Sequence, residues 1–369
     1  MLSVWSERGN VRMTTTGHAE VPRMDWIDYL RALCAGVVLF NHLALVTIHP
    51  RAGLGISGFG LLTEIVEFGN IALFIFFLIS GMMITLVAQT QDAATFVTRR
   101  AARLYPMFIL CLTITTVVSL WGPNFRFDVS VGQYLANLTL NPRALGYRWV
   151  DASYWTLPVE VTFYAAMTVV MLLGAMKHLQ AVVATWVIVQ ALTCYWFRDI
   201  PLIGYSYYFL AAGAVLALLY QRRNERLNLA LLALSLVPCL RCVFAISESA
   251  RFNPWIGSVL ILGVFALFLF MRGRTVQLPG AQRIGSLTYP LYLLHFHIGV
   301  VLMHQLAIDD SNKWWVLAAV VAVLVAASAL IDDIVEFRMR RIWRRLFGAT
   351  LARPVAWIEA RRSAAVNAP

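Results

Sequence analysis

Apolar runs long enough to cross a bilayer recur along almost the whole chain, separated by short polar or basic connections. A spanning helix needs about 20 such residues. The pattern predicts ten helices, over residues 26–48, 68–89, 104–122, 158–176, 179–197, 203–220, 227–247, 254–271, 286–306 and 314–334. The fourth to sixth are short and broken by polar residues. No internal repeat is legible, and the first 20 residues lack the apolar core of a signal peptide. The expectation is an all-α integral membrane protein: a cytoplasmic lead over 1–25, a ten-helix bundle over 26–334, and a basic amphipathic cytoplasmic tail over 335–369.

Composition agrees with that reading. The chain is 60% hydrophobic and 13% charged, whereas soluble domains carry about 25% charged residues. Charge then fixes an orientation. With the N-terminus inside, 21 Lys and Arg fall in cytoplasmic connections and 7 outside, while Arg31 and Arg241 lie within spans. The positive-inside rule therefore places both termini in the cytoplasm. The net charge of +11 follows from this topology and from attraction to anionic lipid, so nucleic acid is not an expected partner. The tail "VEFRMRRIWRRLF" (335–347) mixes Arg with Trp, Ile and Phe, as a helix lying on the lipid surface does. The five cysteines are scattered through apolar runs and read as small buried hydrophobes, and no metal site is expected.

Polar residues inside spans are the candidates for chemistry, because their burial has to be compensated. "LRALCAGVVLFNHLALV" (30–46) carries Arg31 and His42, although an Arg near a helix centre costs about 2.5–3.5 kcal/mol on insertion scales. Eleven residues of α-helix rise about 16.5 Å and turn through about three whole rotations, so both side chains are predicted to share a face and one interior cavity. Arg31 lies toward the cytoplasm and His42 toward the outside. In "FIFFLISGMMIT" (74–85), Ser80-Gly81 either lets helices approach closely or makes room for a ligand. "TRRAARLYP" (98–106) sets Arg100 and Arg103 one turn apart at the cytoplasmic face, where they serve topology or grip a polyanion such as a nucleotide phosphate. "YWTLPVEVTFY" places Trp155 at aromatic-belt depth, as a candidate for the pocket or proton path, and Glu160 in the first turn of a span. There the carboxylate complements the helix dipole, orients an outward-facing His, or holds a sugar hydroxyl. "GSLTYPLYLLHFHIGV" (285–300) aligns Thr288, Tyr292 and His295 on one stripe, a polar cavity or proton path, with His297 elsewhere and structural.

In order along the chain, "DYLRALCAGVVLFNHL", "FFLISGMMI", "RRAARLYP", "YWTLPVEVTFY" and "TYPLYLLH" resemble membrane-bound acyltransferase family 3, which includes polysaccharide O-acetylases and Nod-factor acetylases. The resemblance implies an acyltransferase of the bacterial cytoplasmic (inner) membrane. It would move an acyl group, usually acetyl, from cytosolic acyl-CoA to a hydroxyl of an exopolysaccharide, O-antigen or other cell-surface or lipid-linked glycan. By the same resemblance, Arg31 and His42 match a required Arg-x10-His pair, and Arg100 and Arg103 match a cytoplasmic Arg-x-x-Arg. Acetyl-CoA is then a co-substrate rather than a bound cofactor. The partners implied are membrane lipid, the glycan acceptor and polysaccharide-assembly proteins. One departure follows the last span, where the family often has Glu-x-Pro and this chain reads "EFR" (336–338), without the Pro. With no fused extracellular domain legible, transfer by a single component is expected. His42 would act as general base or transient acyl carrier, with Glu160 as its partner or as an acceptor ligand. Two alternatives stand beside this reading. One is acylation of a small secondary metabolite. The other is a proton-coupled transporter or flippase built on Arg31, His42, Glu160 and His295.

Overall fold

The computed structural model describes residues 12–13, 19–20, 23–45, 56–121, 128–198, 200–306 and 308–366. Most of the expected lead, and the end of the first expected span at 46–48, lie outside them. Within the lead, Arg12–Met13 pairs antiparallel with Ala19–Glu20.

Each of the ten apolar segments is helical. The principal helices are α1 (Asp25–Phe40), α2 (Gly69–Ala88), α3 (Ala93–Leu120), α4 (Thr156–Leu172), α5 (Leu179–Thr193) and α6 (Tyr205–Tyr220). They continue as α7 (Glu225–Ala250), α8 (Pro254–Met271), α9 (Ala281–Leu294), α10 (His297–Gln305), α11 (Lys313–Asp332), α12 (Arg340–Phe347) and α13 (Arg353–Val366). Among the described residues, eight helices are long and apolar enough to cross a membrane, and the bent pair α9–α10 brings the number to nine. The sixth expected span falls short. At 16 residues, α6 rises about 24 Å against a hydrocarbon core of about 30 Å. It is also apolar all round, with 14 of its residues buried, which makes it the central strut of the bundle.

Backbone contact fixes that strut. A Cβ on Gly81 of α2 would collide with the Leu210 carbonyl, and one on Gly213 of α6 with the Leu78 carbonyl. Small residues at such a crossing let the two helices touch, replacing side-chain interdigitation by close backbone packing. Outer helices instead present large apolar side chains outward, such as Trp255 (70% exposed) and Trp315 (79%). Lipid is the environment that this surface fits.

Two helices depart from the pattern that periodicity suggests. The third begins at Ala93, eleven residues before the expected 104, because Asp92 caps it by accepting from the Thr95 amide at 2.7 Å. Arg99, Arg100 and Arg103 consequently sit on a helix and not in a connection. The ninth segment is broken, with a 67° bend between α9 and α10. A break inside a bundle survives only if protein satisfies the freed backbone groups. Here the Leu293 carbonyl accepts from the Tyr154 hydroxyl (3.0 Å) and the His297 amide donates to Asp151 Oδ2 (2.9 Å).

Candidate active site

The site is assembled by α1, α2, α3, α4 and α9. On α2, Ser80 turns inward while its neighbour Gly81 makes the α6 crossing. The two readings of "SG" thus belong to adjacent residues. On α3, Arg100 and Arg103 project one turn apart, and on α4 Thr156, Glu160 and Tyr164 share a stripe. With Arg31 of α1 and Thr288, Tyr289 and Tyr292 of α9, these residues line an inner cavity of about 180 Å³. Its other walls are apolar, including Phe76, Phe77 and Leu157.

Beside it lies a vestibule of about 480 Å³, and Arg31, Arg100, Arg103 and Tyr289 belong to the walls of both. Seven arginines and three carboxylates line the vestibule. Arg31 Nη1 lies 3.8 Å from Asp28 Oδ1. Among the described residues, neither Arg100 nor Arg103 makes a salt bridge. Arg100 instead rests its guanidinium over the rings of Phe96 and Tyr164, 5.9 Å from each centroid. Held by cation–π contact and left without a carboxylate, it keeps its donors for an anion.

The tail contributes here as well, which sequence reasoning missed. It was expected on the lipid surface, yet Arg340 and Arg344 of α12 line the vestibule, and Phe347 packs near Tyr105 of α3 with ring centroids 6.5 Å apart. Partial burial, with Arg340 and Arg99 nearby, draws the Arg344 guanidinium below its usual range. The i,i+4 spacing of Arg340 and Arg344 was the available signal, since it puts both on one face.

At the opposite end of the cavity the chemistry changes from cationic to neutral. The Tyr292 hydroxyl donates to the Ser153 carbonyl at 2.8 Å and lies 2.8 Å from Thr156 Oγ1. Three residues on, His295 is 1% exposed. Its Nδ1 is 2.7 Å from the Tyr292 carbonyl oxygen, and its Nε2 is 2.7 Å from His42 Nδ1. His42 sits on a π-helical turn, Asn41–Leu45, that ends α1. Single π turns inside α-helices recur at functional sites because they re-aim a side chain. Phe296 covers the His42 ring, 4.4 Å between centroids.

Three expectations change. Arg31 and His42 do not share a cavity wall: Arg31 lines the inner cavity, and His42 lies beyond Tyr292, behind His295. The continuous α-helix assumed in that spacing argument gives way to the π turn. Glu160 does not orient His42; it faces the cavity and accepts from the Tyr164 hydroxyl one turn along α4. Trp155 points away from this cavity into a separate one bounded by Arg198 and Tyr205. His297 holds the helix break through its backbone, as the structural reading had it.

Comparison with known proteins agrees with this architecture. Residues 24–332 match the family model described as an acyltransferase domain. Nodulation protein 10 of Rhizobium leguminosarum bv. viciae is 27% identical over 345 residues, covering 84% of this chain and 91% of that protein. No solved structure matches. A match spanning most of the helical bundle, the arginine-lined cavity included, makes the chain a member of acyltransferase family 3 and a membrane acyltransferase.

Proposed function

We propose that the protein transfers an acetyl group from cytosolic acetyl-CoA to a hydroxyl of a cell-surface or lipid-linked glycan, in a bacterial cytoplasmic membrane. The observation that carries this reading is that the arginine-rich vestibule and the inner cavity, which reaches Thr156 and Tyr292, share a wall formed by Arg31, Arg100, Arg103 and Tyr289. A polyanionic nucleotide with a long, thin, neutral arm matches that shape and charge. Its phosphates pair with Arg100 and Arg103, where guanidinium donors suit phosphate oxygens. Its arm passes Arg31 into the narrow cavity. Positive-inside charge sorting, with both termini cytoplasmic, turns the vestibule toward the cytosolic donor.

Chemistry then occurs at the neutral end. His42, which lies beyond Tyr292 and outside the cavity wall, takes the proton of an acceptor hydroxyl that approaches from its own side as that oxygen attacks the thioester carbonyl. A C–O ester bond forms, the C–S bond breaks, and the proton passes to the departing thiolate. The Thr156 and Tyr292 hydroxyls at that end stabilise the negative charge that develops on the carbonyl oxygen, while Arg31 guides the donor arm at the entrance. Glu160, on the same wall, binds the acceptor. The His of this scheme is the only side-chain type that offers a base near neutral pH without perturbation.

The test is transfer of radiolabelled acetyl from acetyl-CoA into membrane-extracted glycan. Cells carrying the wild-type protein, the His42→Ala variant and no protein are compared, with expression verified. Label confined to wild type supports the scheme. Equal labelling by His42→Ala removes His42 from the chemistry, and no label above the empty control overturns the donor–acceptor assignment.

A further inference from the structure

The helix break places a second histidine against the first, and the hydrogen bonds around it have only one consistent direction. The Tyr292 carbonyl oxygen can only accept. His295 Nδ1, 2.7 Å away, must therefore carry its proton. In a neutral imidazole the other nitrogen is then an acceptor. That nitrogen, His295 Nε2, faces His42 Nδ1 at 2.7 Å. His42 Nδ1 must donate, and with both rings neutral His42 Nε2 is left bare. The relay Tyr292 C=O ← His295 ← His42 thus selects one tautomer of His42 from 253 residues away in sequence.

Geometry makes the selection firm. His295 caps α9 immediately after its last residue, Leu294, and α10 leaves at 67°. The bend frees the Tyr292 and Leu293 carbonyls. Tyr154 takes the second of them, and His295 takes the first with its own ring. The Tyr292 hydroxyl is tied to Ser153 and to the neighbourhood of Thr156, so the carbonyl that orients His295 is itself anchored to α4. Phe296 covers the His42 ring and Asn41 donates to the Val66 carbonyl, which together set the π turn.

We infer that His295 is a positioning residue: through the Tyr292 carbonyl it holds His42 in the Nδ1–H tautomer, with Nε2 presented as the proton-accepting nitrogen. This inference rests on His42 as the base, but it makes a structural statement that stands or falls without any substrate. An imidazole oriented by a second group is the arrangement by which other acyl transferases and hydrolases fix their base, usually with a carboxylate. Here a neutral ring does so, which spares a charge in the bundle.

The experiment is nitrogen-15 spectroscopy of the histidine rings in the full-length protein in lipid vesicles. The chain has seven histidines, and His42 is assigned from the signals lost in His42→Ala. The expected result is a protonated Nδ1 and a bare Nε2 on His42 in the wild type. In His295→Gln the side-chain carbonyl replaces Nε2 as acceptor, and the tautomer persists. In His295→Leu it is lost to a mixture or to Nε2–H. Acetyl transfer follows suit: kcat falls about 10–100-fold in His295→Leu, the range for partners that orient a functional His. KM for acetyl-CoA stays within about twofold in both variants, and His295→Gln recovers most of kcat, because a purely orienting partner does not touch the donor. A proton on Nε2 of wild-type His42, or unchanged His42 signals in His295→Leu, overturns the inference. If His295→Leu does not fold, the wild-type and His295→Gln spectra decide. The expected spectra from a protein inactive on acetyl-CoA and glycan would retire the proposed function and leave the positioning role standing.

Discussion

Two carboxylates, Asp151 and Asp332, are both fully buried, yet they belong to opposite kinds of polar region. Asp151, beside the helix break, accepts from the Ser153 amide and hydroxyl at 2.7 Å each and from the His297 amide at 2.9 Å. Asp332, at the vestibule, accepts from the Ser286 hydroxyl at 2.7 Å, and its Oδ1 has no partner among the described residues. The break is a closed network in which protein satisfies protein. The vestibule is electrostatically incomplete, with arginines in excess and polar atoms in reserve. Burial costs are met internally where a fixed geometry is needed, and are left for a ligand to complete where binding is needed.

The largest expected effect comes from opening the closed region. Asp151→Ala would strand two buried backbone N–H groups, each costing about 1–3 kcal/mol when left unpaired. A stability loss of about 3 kcal/mol is expected in thermal unfolding of the detergent-solubilised protein. Asp151→Asn, which keeps one acceptor oxygen, should lose about half as much. Asp332→Ala, losing one hydroxyl bond, should cost about 1 kcal/mol. Equal losses at the two positions would end the distinction between the regions.

A smaller effect, and one that should spare stability, comes from the vestibule. Replacing Arg100 and Arg103 together by Gln removes two guanidinium groups that pair with no carboxylate among the described residues. Charge-assisted bonds to an anion contribute about 1.5–3 kcal/mol net at partly buried sites. Loss of both should therefore raise KM for acetyl-CoA about 100-fold or more, with kcat within about threefold, because binding alone is lost. A fall in kcat at unchanged KM would move these arginines from binding to chemistry.

Legibility in the sequence divides along the same line. Charges and rings in apolar runs stand out singly, so Arg31, His42, Ser80, Glu160, Tyr292 and His295 could be picked from composition and spacing. The order of apolar segments was equally plain. What joins those residues is not local. His42 meets His295 only because α1 ends in a π turn and α9 breaks, and neither departure leaves a periodicity signal. Spacing extrapolated along an ideal helix put Arg31 and His42 on one wall, which the π turn undoes. The partner of Glu160 lay four residues away at Tyr164 and was readable as an i,i+4 pair. Trp155 and Thr156 are adjacent, and which of them faces the cavity depends on how the helical turn before α4 is seated. The basic amphipathic tail shows a charged face but not what that face meets, so a lipid surface and an anion vestibule read alike.

The smallest effect separates the two regions by solvent. The vestibule is open, and charges exposed to water are screened within about 10 Å at 0.1 M salt and about 3 Å at 1 M. Raising KCl from 0.1 to 1 M should weaken the attraction of a polyanionic donor, and KM for acetyl-CoA should climb about three- to fivefold. The His42–His295–Tyr292 relay carries no net charge and is buried, so kcat at saturating donor should stay within about twofold. In the Arg100→Gln, Arg103→Gln protein the salt response of KM should shrink, since part of the screened attraction is already gone. A kcat that falls with salt while KM holds would place the charge sensitivity at the neutral end, and the contrast between Asp151 and Asp332 would then have nothing to do with how the donor is held.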